Sequence, residues 1–507
     1  MRKTLSQSWF LALVLVTASS CTTAPTGTEP ERARSDARVM VLGVDGGTWT
    51  VLEPMMAAGE LPNFKRLYDG GIHGILTSRA PIISPVVWTT MFTGKPHAEH
   101  GVRDWKTSQT IHRKVKALWN MTHDREYESF VFNVPGSWPP EEITGAMLSG
   151  FPLPGSTVAG NTGLVYTMKE LRTRRVSGLY RLNMKKILAV AQGLQVEVWS
   201  DWFDVVIQPH HKDWEGIMRI KRLTPDRFYL SPLYRVDGGL AVSYPAELRD
   251  QVSEQVGTAY IPEGPGWSRH DEPDTPAYLY DHLLQVFNAQ SEAARLFAPK
   301  PWDLFIFVMT LVDRVSHPYW AYSDPDHYDE GLDREKAALY ADAVRNSYIE
   351  TDKRIGELMD ATEGEFYVVV ASDHGFHSSR NKSMYIGTHH FDGIYMVWGP
   401  GLEGTAGERT HIEDIGPTVL YLMGMPVARD MEGKVVPEVR KLIGRDAEII
   451  DTYEDVERES TDMPVDDETW EQLRGLGYVD GAPPRKAAEE KARTAADKVA
   501  DEKAGEE

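Results

Sequence analysis

Several carboxylate and imidazole side chains stand where short apolar runs end, and their types suit metal binding better than simple acid–base work. Asp45 closes the run "VLGVDGG". Asp313 and His317 follow "DLFIFVM" and are four residues apart, so on a helical turn they face the same way and can share one ion. Asp373 and His374 stand side by side in "VVVASDHGFH". Neighbours on a strand point to opposite faces, so sharing an ion requires the strand to stop there, and Gly375 permits that sharp departure. His389 and His390, in "GTHHFDG", precede another apolar run; one is expected to be a ligand and the other a bystander, like the nearby His377.

Each piece alone has a plainer reading. A strand-end Asp beside glycines more often serves a turn, and an isolated Asp-x-x-x-His is more often a surface helix pair. Together they supply three carboxylates and three imidazoles with no thiolate. That donor set suits zinc or manganese rather than iron–sulfur or copper, and it is too large for one tetrahedral zinc but suitable for two ions. A nucleophile candidate is Ser84 in "PIISPVVWTTMFTG". Ser before Pro reads as a helix cap followed by the first helical residue. The same helix start also offers N–H groups and positive potential to a phosphate.

The elements that must position these residues alternate along the chain. Strand candidates are one within 37–47 that ends in Asp45, and 128–134, 145–151, 303–309, 365–372 and 393–398, with helical patterns at 335–360 and 411–423. Such alternation argues for an α/β fold with a mostly parallel central sheet covered on both faces, where ligands gather at the carboxyl ends of strands. Residues 160–275 differ in character, beginning basic and continuing Trp-rich, and are expected to form an inserted cap subdomain. They either cover the site or stand apart from it. The core is thus discontinuous, 38–160 and 275–445, followed by an extension at 446–480 and a charged low-complexity tail at 481–507.

The composition sets outer limits. With 507 residues, 41% hydrophobic content, 14 Trp and 21 Tyr, the chain can bury a large core and is not disordered. Its formal charge of −21 makes it a poor partner for nucleic-acid polymers, so phosphate chemistry here needs cations held locally. Arg2 and Lys3, the apolar run "WFLALVLV" and the small residues before Cys21 read as a signal peptide over 1–20. Eight apolar residues are too few to span a bilayer. Cys21, the only cysteine, matches a bacterial lipobox with Ala18 in place of Leu, or else marks a plain secretory cleavage near Ser20. Residues 21–37 read as a tether. The protein is expected to be exported and lipid-anchored in the cell envelope, facing the periplasm or the exterior, without internal disulfides.

In this order, "VLGVDGG", "SPVVWTTMFTG", "NVPGSWPPEEITGAMLSGF", "DLFIFVMTLVDRVSHPYW", "VVVASDHGF", "GTHHFDGIYMVWGPG" and "DIGPTVLYLMGMP" resemble the alkaline phosphatase superfamily, and within it the type I phosphodiesterase/nucleotide pyrophosphatase family. The resemblance spans about 38 to 435. It implies a three-layer αβα sandwich and hydrolysis of a small phosphodiester or nucleotide-like substrate through a phosphoserine on Ser84. It further implies two divalent ions, zinc or manganese: one on Asp45, Ser84, Asp373 and His374, the other on Asp313, His317 and His389. His389 is preferred to His390 because the family histidine lies four residues before the Gly that is Gly393 here. Arg314, Lys95 and Asn133 are candidate substrate contacts. The "TFPNH" segment of the better-known nucleotide pyrophosphatases is absent, so a nucleotide preference does not carry over. A phosphomonoesterase or phosphomutase would use the same ions, and a catalytically inactive, membrane-tethered binding protein is the rival from another class. A sulfatase would need S/C-x-P-x-R, whereas "SWPPE" places Glu141 where Arg is required.

Overall fold

Every residue of Val39–Val44 (β1) is buried, as a strand covered on both faces must be. The structure, a computed structural model, describes residues 37–454 except 106, 152–163, 174–183, 208–213, 232–233, 236–241, 259, 262–274, 329–331, 333 and 379–386. Cys21, the signal peptide, nearly all of the tether and the charged tail lie outside the described residues.

The next strands are β2 to β5 (Gly71–Thr77, Ser129–Phe132, Gly145–Leu148, Leu164–Thr167) and β6 to β9 (Phe203–Ile207, Trp214–Met218, Ile220–Arg222, Arg227–Leu230). They are followed by β10 to β13 (Tyr234–Arg235, Ser243–Tyr244, Leu304–Met309, Tyr367–Ala371) and β14 to β18 (Gly375–Ser378, Gly387–His390, Asp392–Trp398, Thr405–Ala406, Thr410–His411). The large sheet runs β11-β4-β3-β12-β1-β13-β16-β2-β17, with β18 also on β2. Its central pairs, β3 with β12, β12 with β1 and β1 with β13, are parallel. Antiparallel pairing is confined to β16, between β13 and β2, and to β11 on β4. The sheet is therefore mostly parallel, as the alternation of strands and helices predicts.

Side chains of β1 alternate between two cores. Met40, Leu42 and Val44 pack with helices Trp49–Ala57, Pro62–Gly70, Thr275–Arg295, Leu311–Ser323 and Ala343–Ala361. Val39 and Val41 pack with helices Ser84–Thr93, Leu118–His123, Ile415–Met423 and Pro437–Ile443. Helices thus cover both faces in three layers. The helix expected over 335–360 is two helices, Arg334–Tyr340 and Ala343–Ala361. The extension begins as part of the core: Ile449–Ile450 pairs with Val427–Ala428, and the buried Tyr453 donates its hydroxyl proton to the Pro426 carbonyl at 2.6 Å.

The insertion carries two small sheets, β5-β9-β8 and β10-β7-β6. The first has its own apolar cluster, in which Leu171, Ile187, Ile220 and Phe228 are fully buried. Register fixes where the chemistry can lie. Val44 pairs with Met309, and Gly43 with Ala371, so β1, β12 and β13 end at one level. Asp45, Asp313 and Asp373 come one, four and two residues beyond those ends.

Candidate metal centre and nucleophile

Asp45 continues β1, and its backbone N–H donates to the Met309 carbonyl at 3.0 Å. Asp313 lies in the first turn of helix Leu311–Ser323, with His317 one turn further on. Asp373 and His374 follow the end of β13 and precede β14, so the strand does stop before the pair. Gly375 is required there by crowding: a Cβ would lie 2.1 Å from the Asp392 carbonyl oxygen. Gly46 needs both its positive φ of 76° and its lack of a side chain, since a Cβ would lie 2.7 Å from the Phe376 ring.

The hairpin β14–β15 sends the two histidines to opposite faces. Phe376 pairs with His389, and Gly375 with His390. Alternation then sends His389 inward and His390 outward, where His390 meets His377 with ring centroids 5.3 Å apart. Phe376 packs edge-on against His317 and His389, at 5.1 and 5.3 Å. His374 and His389 stack at 3.6 Å.

The donor atoms converge. His317 Nε2 lies 3.3 Å from Asp313 Oδ1 and 3.1 Å from His389 Nε2, and His389 Nε2 lies 3.4 Å from Asp313 Oδ1. His374 Nε2 is 3.4 Å from Asp45 Oδ1, 3.5 Å from Asp373 Oδ2 and 3.8 Å from Asp313 Oδ1. Two overlapping triads have the geometry to hold an ion, Asp45–Asp373–His374 and Asp313–His374–His389. The free ring nitrogens are fixed from behind: His374 Nδ1 bonds the Gly375 carbonyl at 3.1 Å, and His389 Nδ1 bonds the Ile82 carbonyl at 3.2 Å. Each Nδ1 therefore carries a proton, and each Nε2 faces the cluster; burial acts to lower His389, but the Asp313 and Asp373 carboxylates hold it above the ordinary imidazole value.

Four of these atoms, Asp45 Oδ1, Asp313 Oδ1, Asp373 Oδ2 and His374 Nε2, are buried without a hydrogen-bond partner. Two carboxylates with oxygens within 4.8 Å repel by roughly 3 kcal/mol at an effective dielectric of about 20. Burial, with Asp373 and Asp313 alongside, pushes Asp45 well above the usual carboxylate range. Burial and the Asp313 charge push Asp373 up to about 7. Burial also acts to raise Asp313, but the two imidazoles beside it, His317 and His389, hold it well below that range. Burial and His389 keep His374 well below the ordinary imidazole value, so it is neutral. Orphaned, closely spaced oxygens facing the neutral His374 form a set suited to divalent cations.

Ser84 is 7% exposed and opens helix Ser84–Thr93. The N-cap position is Ile83 rather than Ser84, so the serine hydroxyl is not spent as an N-cap. The chain on either side of it is tied to the cluster. Ile82 receives the His389 bond, and Trp88, one turn after Ser84, donates Nε1–H to Asp45 Oδ2 at 3.3 Å. The Trp88 ring fills the space that a Cβ on Gly43 would occupy, which seats the helix on β1.

The sequence profile of the type I phosphodiesterase/nucleotide pyrophosphatase family matches residues 39–413. The chain belongs to that family. As a member it is a phosphoester hydrolase. No curated protein sequence matches the chain. Among solved structures, human ectonucleotide pyrophosphatase/phosphodiesterase 5 is 11% identical, covering 80% of this chain and 99% of its own, with a TM-score of 0.39. Phosphonate monoester hydrolase from Silicibacter pomeroyi is 13% identical over 81% of this chain and 77% of its own, at 0.34. A 2-O glycosaminoglycan sulfatase is 11% identical over 82% and 75%, at 0.39. At such scores these likenesses add nothing to the family match.

Not every candidate of this phosphodiesterase-family chain reaches the cluster. Lys95 lies beyond the far end of the Ser84 helix, buried, with Nζ 2.7 Å from Asp430; a helix of ten residues puts it about 15 Å from Ser84. Its ammonium is engaged by Asp430 and, at 3.7 Å, by Glu454. Asn133 is fully buried, and its Nδ2 donates to the Val308 carbonyl at 3.0 Å and to Gln290 at 3.3 Å. Its side chain ties the ends of β3 and β12 to helix Thr275–Arg295. Arg314 does lie beside the cluster: its charge partly offsets the rise that burial gives Asp45 and adds to the fall that burial gives His317, and its guanidinium sits 4.7 Å over Phe151. Sequence reasoning missed Trp88, Phe376 and the Ile82 carbonyl. Trp88 carried a signal, since it stands one helical turn after Ser84. A backbone carbonyl carries none.

Proposed function

We propose that this chain hydrolyses small phosphodiesters with two divalent ions and a phosphoserine intermediate on Ser84. The observation that carries the reading is the group of four orphaned donor atoms beside the helix that Ser84 opens. Asp45, Asp373 and His374, with Ser84, would hold one ion; Asp313, His317 and His389 would hold the other. The oxygen–nitrogen set with three imidazoles favours zinc, with manganese next. Bound there, the ions would favour the Ser84 alkoxide, offset the charge on the phosphoryl oxygens and lower the pKa of water.

The chain's own residues do the rest. Ser84 Oγ attacks phosphorus opposite the leaving alkoxide, so an Oγ–P bond forms as the ester P–O bond breaks. Water then cleaves the Oγ–P bond and returns Ser84 with release of the phosphomonoester. The Ile82 and Gly375 carbonyls hold the imidazole protons on Nδ1 and keep Nε2 a donor of lone pairs. Arg314 adds a fixed positive charge on which a phosphoryl group is placed.

Full-length protein supplied with Zn2+ is expected to turn over bis(4-nitrophenyl) phosphate with a kcat/KM at least about 10-fold above that for 4-nitrophenyl phosphate, about 1.4 kcal/mol of discrimination. A preference for the monoester would instead make it a phosphomonoesterase of the same superfamily. No turnover of either would favour a binding role.

We also propose export and a lipid anchor on Cys21. Among the described residues no helix is long and apolar enough to cross a membrane. Cys21→Ser is expected to move the protein from the membrane fraction to the soluble fraction of the cell envelope. Retention on the membrane would contradict the anchor.

A further inference from the structure

Arg219 lies between β7 and β8 in the insertion and is 5% exposed. Its guanidinium carbon stands 4.1 Å from the Trp199 ring centroid and 4.7 Å from that of Trp202. Nη2 donates to His282 Nδ1 at 2.9 Å, and His282 Nε2 lies 2.7 Å from the Tyr234 hydroxyl. Arginine can only donate, so His282 accepts on Nδ1 and carries its proton on Nε2, which donates to Tyr234. The contacts that hold this cation are therefore rings and a neutral imidazole. Asp281, whose field reaches Arg219, is bound by Lys221 at 2.7 Å. Among the described residues, two buried donors of the group, Arg219 Nε–H and Trp199 Nε1–H, have no hydrogen-bond partner.

Arg219 lines a cavity of about 270 Å³ together with Trp202, Thr258, Gln285, Asn288 and Glu292. The one carboxylate on its wall is already engaged, since Glu292 meets Arg295 at 2.6 Å and Arg354 at 3.4 Å. Asn288 Oδ1 accepts from Arg354 at 2.9 Å. We propose that this cavity is a second, non-catalytic anion site, which binds a small molecule through a phosphate or carboxylate group. Among the described residues no carboxylate pairs directly with this buried guanidinium; an unpaired buried charge is costly to maintain, and an oxyanion would offset it. The tryptophans lie over the guanidinium, and a guanidinium can meet an oxyanion in a fork geometry that an ammonium cannot reproduce. Thr258 and Gln285 provide neutral polar atoms at the wall. None of the residues proposed to hold metal lines the cavity, so the site stands whether or not the catalytic reading does.

The test is calorimetric titration of the full-length protein as purified, with inorganic phosphate and separately with succinate. The wild-type chain is expected to bind one more equivalent of at least one of these anions than Arg219→Gln does. Phosphate alone identifies a phosphate group, succinate alone a carboxylate, and both the shared oxyanion chemistry. Thr258→Trp fills the cavity and leaves Arg219 in place; it is expected to lose the same equivalent, and it decides the matter if Arg219→Gln does not fold. Equal stoichiometry in the wild type and in a folded Arg219→Gln, or in the wild type and Thr258→Trp, would overturn the proposal.

Discussion

Chelating the divalent metal from the full-length protein is expected to reduce phosphodiester turnover to background, with recovery on adding Zn2+ or Mn2+ and none with Ca2+. The selectivity follows from the donors. Three imidazoles among the ligands suit zinc and manganese, whereas calcium prefers an all-oxygen shell. Stability should move in the same direction. Ions at about 1,000 times their dissociation constant add about 4 kcal/mol to the folded state, so the chelated chain should melt lower. Its buried oxygens then face one another with only neutral or shared imidazoles between them.

A second variant separates the two contributions. Asp373→Asn keeps an acceptor for the Gly46 N–H and removes one repelling carboxylate. In the chelated protein it should raise the melting temperature, while abolishing metal-dependent activity in the loaded one. Unchanged melting with full activity would show that Asp373 faces no ion.

Ser84→Ala is expected to lower kcat for the diester by about 10³-fold or more while leaving metal content unchanged to within one ligand's weakening. The hydroxyl is small, and its helix is held by Trp88 on β1 and by packing of all ten helical residues. Removing Oγ therefore leaves the scaffold in place. The loss should appear in kcat rather than KM, because the serine forms a bond only as the reaction proceeds. A variant that keeps near-full activity would require a metal-activated water as the direct nucleophile.

Much of this arrangement was legible in the chain because it obeys simple rules. Apolar runs ending in Asp45, Asp313 and Asp373 predicted parallel strands whose carboxyl ends meet, and the register of β1, β12 and β13 places those ends level. The break after Ala371 followed from two adjacent residues needing one ion. The assignment of Gly375 was right in place but not in cause, since crowding against Asp392, not a left-handed φ, demands glycine there. What the sequence hid was tertiary. Lys95 was a candidate substrate contact, yet Asp430, distant in sequence, pairs with it. Asn133 sits at a strand end like the ligands, but its amide bonds Val308 and Gln290 from two other elements. The cluster around Arg219 depends on Trp199, Trp202 and His282 converging from separate segments, and no local pattern announces that.

The central claim is that phosphate passes through Ser84. The most direct measurement is acid quenching of the full-length enzyme during turnover of a diester, followed by mass spectrometry of its peptides. A phosphoryl group still esterified to one alcohol of the diester, on the peptide containing Ser84 and absent from the Ser84→Ala protein, is the predicted result. Sustained turnover with no phosphopeptide at any time point, or with phosphate on another residue, would contradict it.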